Sequence, residues 1–154
     1  MRNLLKTVLV AFLPLLIAAC NKEEVEPFDH PFFHIHVDNQ DTVEVRYNRR
    51  DTVSYHIYLS AKRQFDPIEV TYSITPGSGL QEGRDYRVLN SGSTLLFRPG
   101  VFEVPVKVAW LENDLDPALD NSLSIKIESN SEGYTLGLPG PDHLQQQLVL
   151  IKKK

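Results

Sequence analysis

The chain has 154 residues, with 16 Lys plus Arg against 20 Asp plus Glu, a net charge of −4, and 42% hydrophobic residues. That balance argues against nucleic-acid binding, which calls for a basic patch. The one cysteine excludes an intramolecular disulfide, so stability has to come from a packed core.

The first segment opens with Arg2 and Lys6, which supply the positive start of a secretory signal. From Val8 to Ala19 every residue is apolar or Pro14, a run of 12. A helix needs roughly 20 apolar residues to cross a bilayer. The run is too short for that and fits the apolar region of a signal peptide. It ends in Leu16-Ile17-Ala18-Ala19-Cys20, which resembles the lipobox of bacterial lipoproteins. The resemblance implies that residues 1–19 are removed and that Cys20, diacylated on its thiol and acylated on its new amine, anchors the chain to a membrane. Two acyl chains suffice for stable anchoring.

Removing Arg2 and Lys6 takes the net charge from −4 to −6, which argues against adsorption to anionic headgroups. After Cys20, the stretch Asn21-Lys22-Glu23-Glu24-Val25-Glu26-Pro27 is charged and lacks an apolar period, so residues 20–31 read as a tether. Lys22-Glu23-Glu24 also resembles the acidic export signal of surface lipoproteins of the Bacteroidetes type. An outer-membrane address on the cell surface is therefore expected, with a periplasm-facing one as the alternative.

From residue 32 the period is two. Phe33, Ile35 and Val37 alternate with His34 and His36. Val43, Val45 and Tyr47 follow, then Val53, Tyr55, Ile57 and Leu59. Next come Ile68, Val70, Tyr72 and Ile74. Phe102, Val104, Val106, Val108 and Trp110 form another series, and Leu123, Ile125 and Ile127 a further one. The run from Leu144 to Ile151 is apolar on both faces near its end. Such alternation puts one face of each strand on a core and the other in water. Turn residues such as Pro76-Gly77-Ser78-Gly79 and Pro139-Gly140-Pro141-Asp142 separate the runs. Residues 32–154 are thus expected to form one all-β domain, an antiparallel β-sandwich of about seven to nine strands. Pro105 cannot donate to a strand ladder and is expected at an edge or a bulge. Lys152-Lys153-Lys154 reads as a solvated tail, being shorter than a basic lipid-binding cluster.

The middle of the chain carries Ile68-Glu69-Val70-Thr71-Tyr72, Glu82-Gly83-Arg84-Asp85-Tyr86, Gly92-Ser93-Thr94-Leu95-Leu96-Phe97 and Pro99-Gly100. Glu103 to Trp110, the acidic run Glu112-Asn113-Asp114, and Asp120 before Leu123 to Ile127 complete the order. It resembles the Calx-β domain over roughly residues 50 to 151. The resemblance implies an immunoglobulin-like sandwich and, since some of these domains bind Ca²⁺, a ligand set of Asp85, Glu112 and Asp114. Calcium wants six to eight oxygens, mostly carboxylate. Here Asn113 interrupts the acidic run, and Asp120-Asn121 supplies one charge where the family has two; Asp116 is additional. The alternative is that Asp85 caps its own turn and the acidic loop is solvated.

Other chemistry is sparse. His34 and His36 project from one strand face, and with Asp29 or His30 they are the best zinc candidates; solvent-facing edge histidines are the alternative. No serine sits in a Gly-x-Ser-x-Gly setting, the cysteine is assigned to lipid, and the carboxylates are scattered, so no catalytic residues are assigned. Tyr58 faces away from the core and Tyr134 lies in a late loop, making both candidates for stacking on a sugar. The other reading of Tyr58 is a cross-strand pair. The expectation is a non-enzymatic, lipid-anchored binding or adhesion module with a surface-protein partner. The alternatives are a glycan-binding accessory protein of a polysaccharide-uptake system, a Ca²⁺-binding structural module and a periplasm-facing structural subunit.

Overall fold

The structure, a computed structural model, describes residues 30–154. Cys20, the signal and most of the tether lie outside the described residues. No helix occurs among the described residues, which form ten strands. In chain order these are β1 (Phe32–Ile35), β2 (Thr42–Arg46), β3 (Thr52–Ser60), β4 (Ile68–Pro76) and β5 (Tyr86–Val88). β6 (Thr94–Phe97), β7 (Glu103–Trp110), β8 (Ser122–Asn130), β9 (Thr135–Leu136) and β10 (Gln147–Lys153) follow. They make two five-stranded sheets, ordered β5-β7-β3-β1-β9 and β2-β10-β8-β4-β6. The protein is therefore an all-β sandwich, as the period of two implies. The pairings are antiparallel except β1 with β9 and β10 with β2.

The alternation sorts side chains as expected. Phe33, Ile35, Tyr55, Ile57 and Leu59 of the first sheet are buried, as are Ile68, Val70, Leu123, Ile125, Ile127, Leu148 and Leu150 of the second. Full burial of such a side chain is worth about 1.5–3 kcal/mol. The sheets meet where Phe33 packs edge-on against Phe97, with centroids 5.1 Å apart and planes at 71°, a favoured aromatic geometry. Trp110, on the core phase, is 1% exposed, and its Nε1–H donates to Tyr55 Oη at 3.0 Å.

Pro105 lies on β7, an interior strand, but beyond the reach of three-residue β5, which pairs only Val108 to Trp110. Asn90 takes over there. Its Nδ2 donates to Pro105 O (3.0 Å) and its Oδ1 accepts from Lys107 N–H (2.6 Å). The proline thus sits at a local edge, where its missing N–H costs nothing.

Three expectations are corrected. Lys152 is not part of a solvated tail: it is on the inward phase of β10 and 1% exposed. Phe102 precedes β7 and is 39% exposed, not core. The last strand starts at Gln147, and Leu144 is 54% exposed in the preceding loop.

The register defines two ends. Phe32 lies opposite Ser60 and Thr135, and Ile68 opposite Phe97. The chain's entry at Pro31 is therefore grouped with loops 61–67, 98–102 and 131–134. At the far end are loops 47–51, 77–85 and 111–121.

Candidate functional site

The outward phase of β1 and β3 builds a row of rings on the first sheet. Pairing of β1 with β3 sets His34 opposite Tyr58. His34 and His36 stack at 5.2 Å and 21°, and His36 stacks on Tyr58 at 4.9 Å and 18°. Phe32 lies 5.2 Å from His34, and His56 lies 6.0 Å from Tyr58. All five rings are part-exposed. They form a continuous surface with apolar faces and polar edges.

Two tight backbone features hold one side of this row. Asp38 and Asn39 both have positive φ (50° and 62°) and close a two-residue turn in which Val37 and Gln40 exchange backbone hydrogen bonds. Asp and Asn tolerate that conformation better than most residues. Asn39 N–H donates to His36 Nδ1 at 3.1 Å. Gln145, also at positive φ (62°), accepts from Ile35 N–H through its carbonyl and from His34 Nδ1 through Oε1 at 3.2 Å. Such strain in a non-glycine residue persists where surrounding contacts over-determine it. Burial lowers the His34 pKa below 6.5; the Gln145 bond opposes this and the His36 charge adds to it.

The sequence-derived residues divide between this row and the far end. Tyr58 is in the row and does pair across strands with His34. Tyr134 is not a free ring. It stacks on core residue Phe33 at 6.1 Å and 22°, and its hydroxyl donates to Gln64 Oε1 at 3.0 Å. Tyr58 and Tyr134 therefore do not share a surface. His30 Nε2 bonds Thr135 Oγ1 at 2.7 Å, away from the His34–His36 pair.

Asp85, Glu112 and Asp114 all lie toward the far end but do not converge. Asp85 is fully buried and serves its own turn, its Oδ2 accepting from Gln81 N–H (2.8 Å) and Arg84 Nε (2.7 Å). Its Oδ1 accepts from Asn113 Nδ2 at 2.9 Å. Lys152 Nζ lies 3.8 Å from the same oxygen. Burial works against the Asp85 carboxylate, but the bonds from Asn113, Arg84 and the Gln81 backbone, with the Arg84 charge, hold its pKa below 3.8. Glu112 pairs with Arg50, and Asp114 with Lys154 at 3.4 Å. Asp116 Oδ1 accepts from Ala118 N–H, and Asp120 Oδ1 from Ser122 N–H. These carboxylates face cations or cap turns and do not fit a Ca²⁺ shell. No cluster of three or more His, Cys, Asp or Glu among the described residues could hold a metal.

Sequence reasoning missed two participants. His56 shares the outward phase with Tyr58, so alternation could have found it. Lys152 shares the inward phase with Leu148 and Leu150, a signal set aside in favour of its lysine neighbours. The chain matches no protein-family model, and a search of curated proteins finds no match. The class the fold defines is thus a two-sheet β-sandwich.

Proposed function

We propose that this chain is a non-enzymatic, lipid-anchored protein of the cell envelope, displayed on the surface, that binds a partner through the ring row of its first sheet. The observation that carries the reading is the stacked surface of His34, His36 and Tyr58. Large, rigid rings with polar tips give contact area at low entropic cost, as in binding surfaces generally. The lipobox-like ending at Cys20, the acidic stretch behind it and the Calx-β-like, immunoglobulin-like order of motifs support the address and the class.

A second reading, sugar capture, is favoured by one feature. The His36 and Tyr58 rings are part-exposed and stacked in parallel at 4.9 Å, and part-exposed rings of this kind can pack against the flat apolar side of a pyranose ring. The test uses the acylated protein against an oligosaccharide array and against proteins of the cell envelope. Retention of either class, lost in Tyr58→Ala and His36→Ala but kept in Asp142→Ala, is expected. Glycan retention selects the second reading. Retention unchanged in both ring variants overturns the row as the site. Mass spectrometry of the native protein showing an unmodified N-terminus overturns the anchoring.

A further inference from the structure

We infer that the entry end of the sandwich rests on the bilayer and that Phe65, with Val101 and Phe102, dips into its interfacial layer. The inference rests on the lipid-anchored reading above and goes beyond it by fixing which end faces the lipid.

Phe65 is 78% exposed, the most exposed large apolar side chain among the described residues. Val101 and Phe102, on the neighbouring turn, are 37% and 39% exposed. The two segments lie together: Phe102 O accepts from Leu59 N–H at 2.8 Å, just before the Phe65 loop begins. The Arg63 guanidinium lies 5.9 Å from the Phe65 ring centroid. The loop is braced from below, since Gln64 Oε1 accepts from the Tyr134 hydroxyl, and Tyr134 stacks on Phe33 of the core. Phe65 is therefore presented outward by a supported loop. The other exposed large hydrophobics, Leu89, Leu96, Leu119 and Leu144, each fall on a different segment.

The occupant follows from where the chain enters. Pro31 O accepts from Thr135 N–H at 3.3 Å, and His30 bonds Thr135 as well, so the chain joins the body at this same end. Between Cys20 and His30 run ten peptide steps, a reach of at most about 35 Å. A nine-residue strand such as β3 is about 30 Å long. Presenting the far end to the membrane would require the tether to run the body's full length; presenting Phe65 requires almost none of it.

Charge does not drive the contact. The entry-end loops carry Lys62, Arg63 and Arg98 together with Asp66 and Glu132. Apolar insertion carries it, with the arginines placed to keep their heads among phosphates while their stems follow the rings. With this orientation, the ring row starts at Phe32, beside the lipid, and runs away from it along β1 and β3 through His34 and Tyr58 toward His36 and His56.

The test reconstitutes the full acylated protein in phosphatidylethanolamine–phosphatidylglycerol vesicles whose acyl chains are brominated. Cys20 carries lipid, so a cysteine placed by Phe65→Cys takes a fluorophore selectively; Ala118→Cys labels the far end. Quenching of roughly twofold at 65, as for a probe about 5–10 Å into the interface, with none at 118, is expected. Protein that floats with vesicles but is unquenched at 65, or equally quenched at both sites, overturns the orientation and leaves anchoring intact. Energy transfer between copies labelled at 65, without bromine quenching, places a second copy there and overturns it too. Protein that fails to float overturns the anchoring, and this inference with it.

Discussion

Asp85, in the turn before β5 of the first sheet, and Lys152, on β10 of the second, form a buried ion pair that ties the two sheets together at the far end. Neither side chain is exposed, and Lys152 Nζ lies 3.8 Å from Asp85 Oδ1. The ammonium also donates to Leu111 O (2.7 Å) and Asp85 O (3.3 Å). Asp85 O in turn accepts from Leu111 N–H at 3.0 Å. One carboxylate residue thus organises its own turn, the segment after β7 and the last strand.

Removing either partner has unequal consequences. Asp85→Ala leaves a buried ammonium without its counter-charge and should cost about 3–5 kcal/mol. Lys152→Met leaves Asp85 with Arg84, Asn113 and the Gln81 N–H, and should cost about 1–2 kcal/mol. The pH profile carries a sign check. Asp85 has a folded pKa below its ordinary 3.8, so the unfolded chain binds more protons just under that value. Its contribution is complete well above pH 3.8 and is lost as pH falls through the folded value. Chemical-denaturant titrations from pH 6 downward should show a shallower acid slope in Asp85→Asn. Burial lowers the Lys152 pKa below 10.5 against the opposing attraction of Asp85. By the same relation its share of stability rises toward alkaline pH, and Lys152→Met should remove that rise.

The Trp110 indole gives a second, independent test. Its Nε1–H is buried and its hydrogen bond goes to Tyr55 Oη. Tyr55→Phe keeps the ring and removes the acceptor. Orphaning a buried donor costs about 1–3 kcal/mol. Urea unfolding should show a lower midpoint with an unchanged slope. A cost near zero would mean that the indole is not desolvated as the core packing requires.

Much of this architecture was legible because one face of each strand must be dry. The inward residues of β1, β3, β4, β7 and β8 follow directly from alternation, and so does the burial of Trp110. Lys152 was misread because residue type was weighed above phase; two positions past Leu150 it had to point inward. The short strands β5 and β9 carry too few residues for a period to register. The ring row was half legible. Alternation turned Tyr58, His34 and His36 outward, but the register that sets Tyr58 opposite His34 depends on long-range pairing between strands. The separation of Asp85 from Glu112 and Asp114 was not legible either, because each carboxylate's partner comes from a distant segment.

Gly137 tests the loop that leads toward Gln145. It has φ of +82°, and a Cβ there would lie 2.4 Å from His143 O. Its N–H donates to Phe33 O at 2.7 Å. Gly137→Ala faces both an unfavourable backbone conformation and a clash with main chain, and should cost at least about 2 kcal/mol. Gly133→Ala, at φ of +66° with nothing near the would-be Cβ, isolates the conformational share and should cost about 1 kcal/mol. Equal melting temperatures for the two variants would refute the close approach.

His34 links the ring row to pH. Burial depresses its pKa below 6.5, with the His36 charge acting in the same direction and the Gln145 bond against it. The imidazole is therefore neutral at pH 7. Between its folded pKa and 6.5 the unfolded chain binds more protons, so its share of stability is complete above pH 6.5 and is lost as pH falls through the folded value. Protonation also sets a further positive charge beside His36 and Tyr58. Titrating the His34 ring by NMR should give a pKa below that of an unfolded reference peptide. His34→Gln should flatten the stability profile between pH 7 and the folded pKa. Partner binding through the row should change on acidification in wild type, and that change should be smaller in His34→Gln. A His34 pKa at or above 6.5 would contradict the burial of this ring beside Gln145.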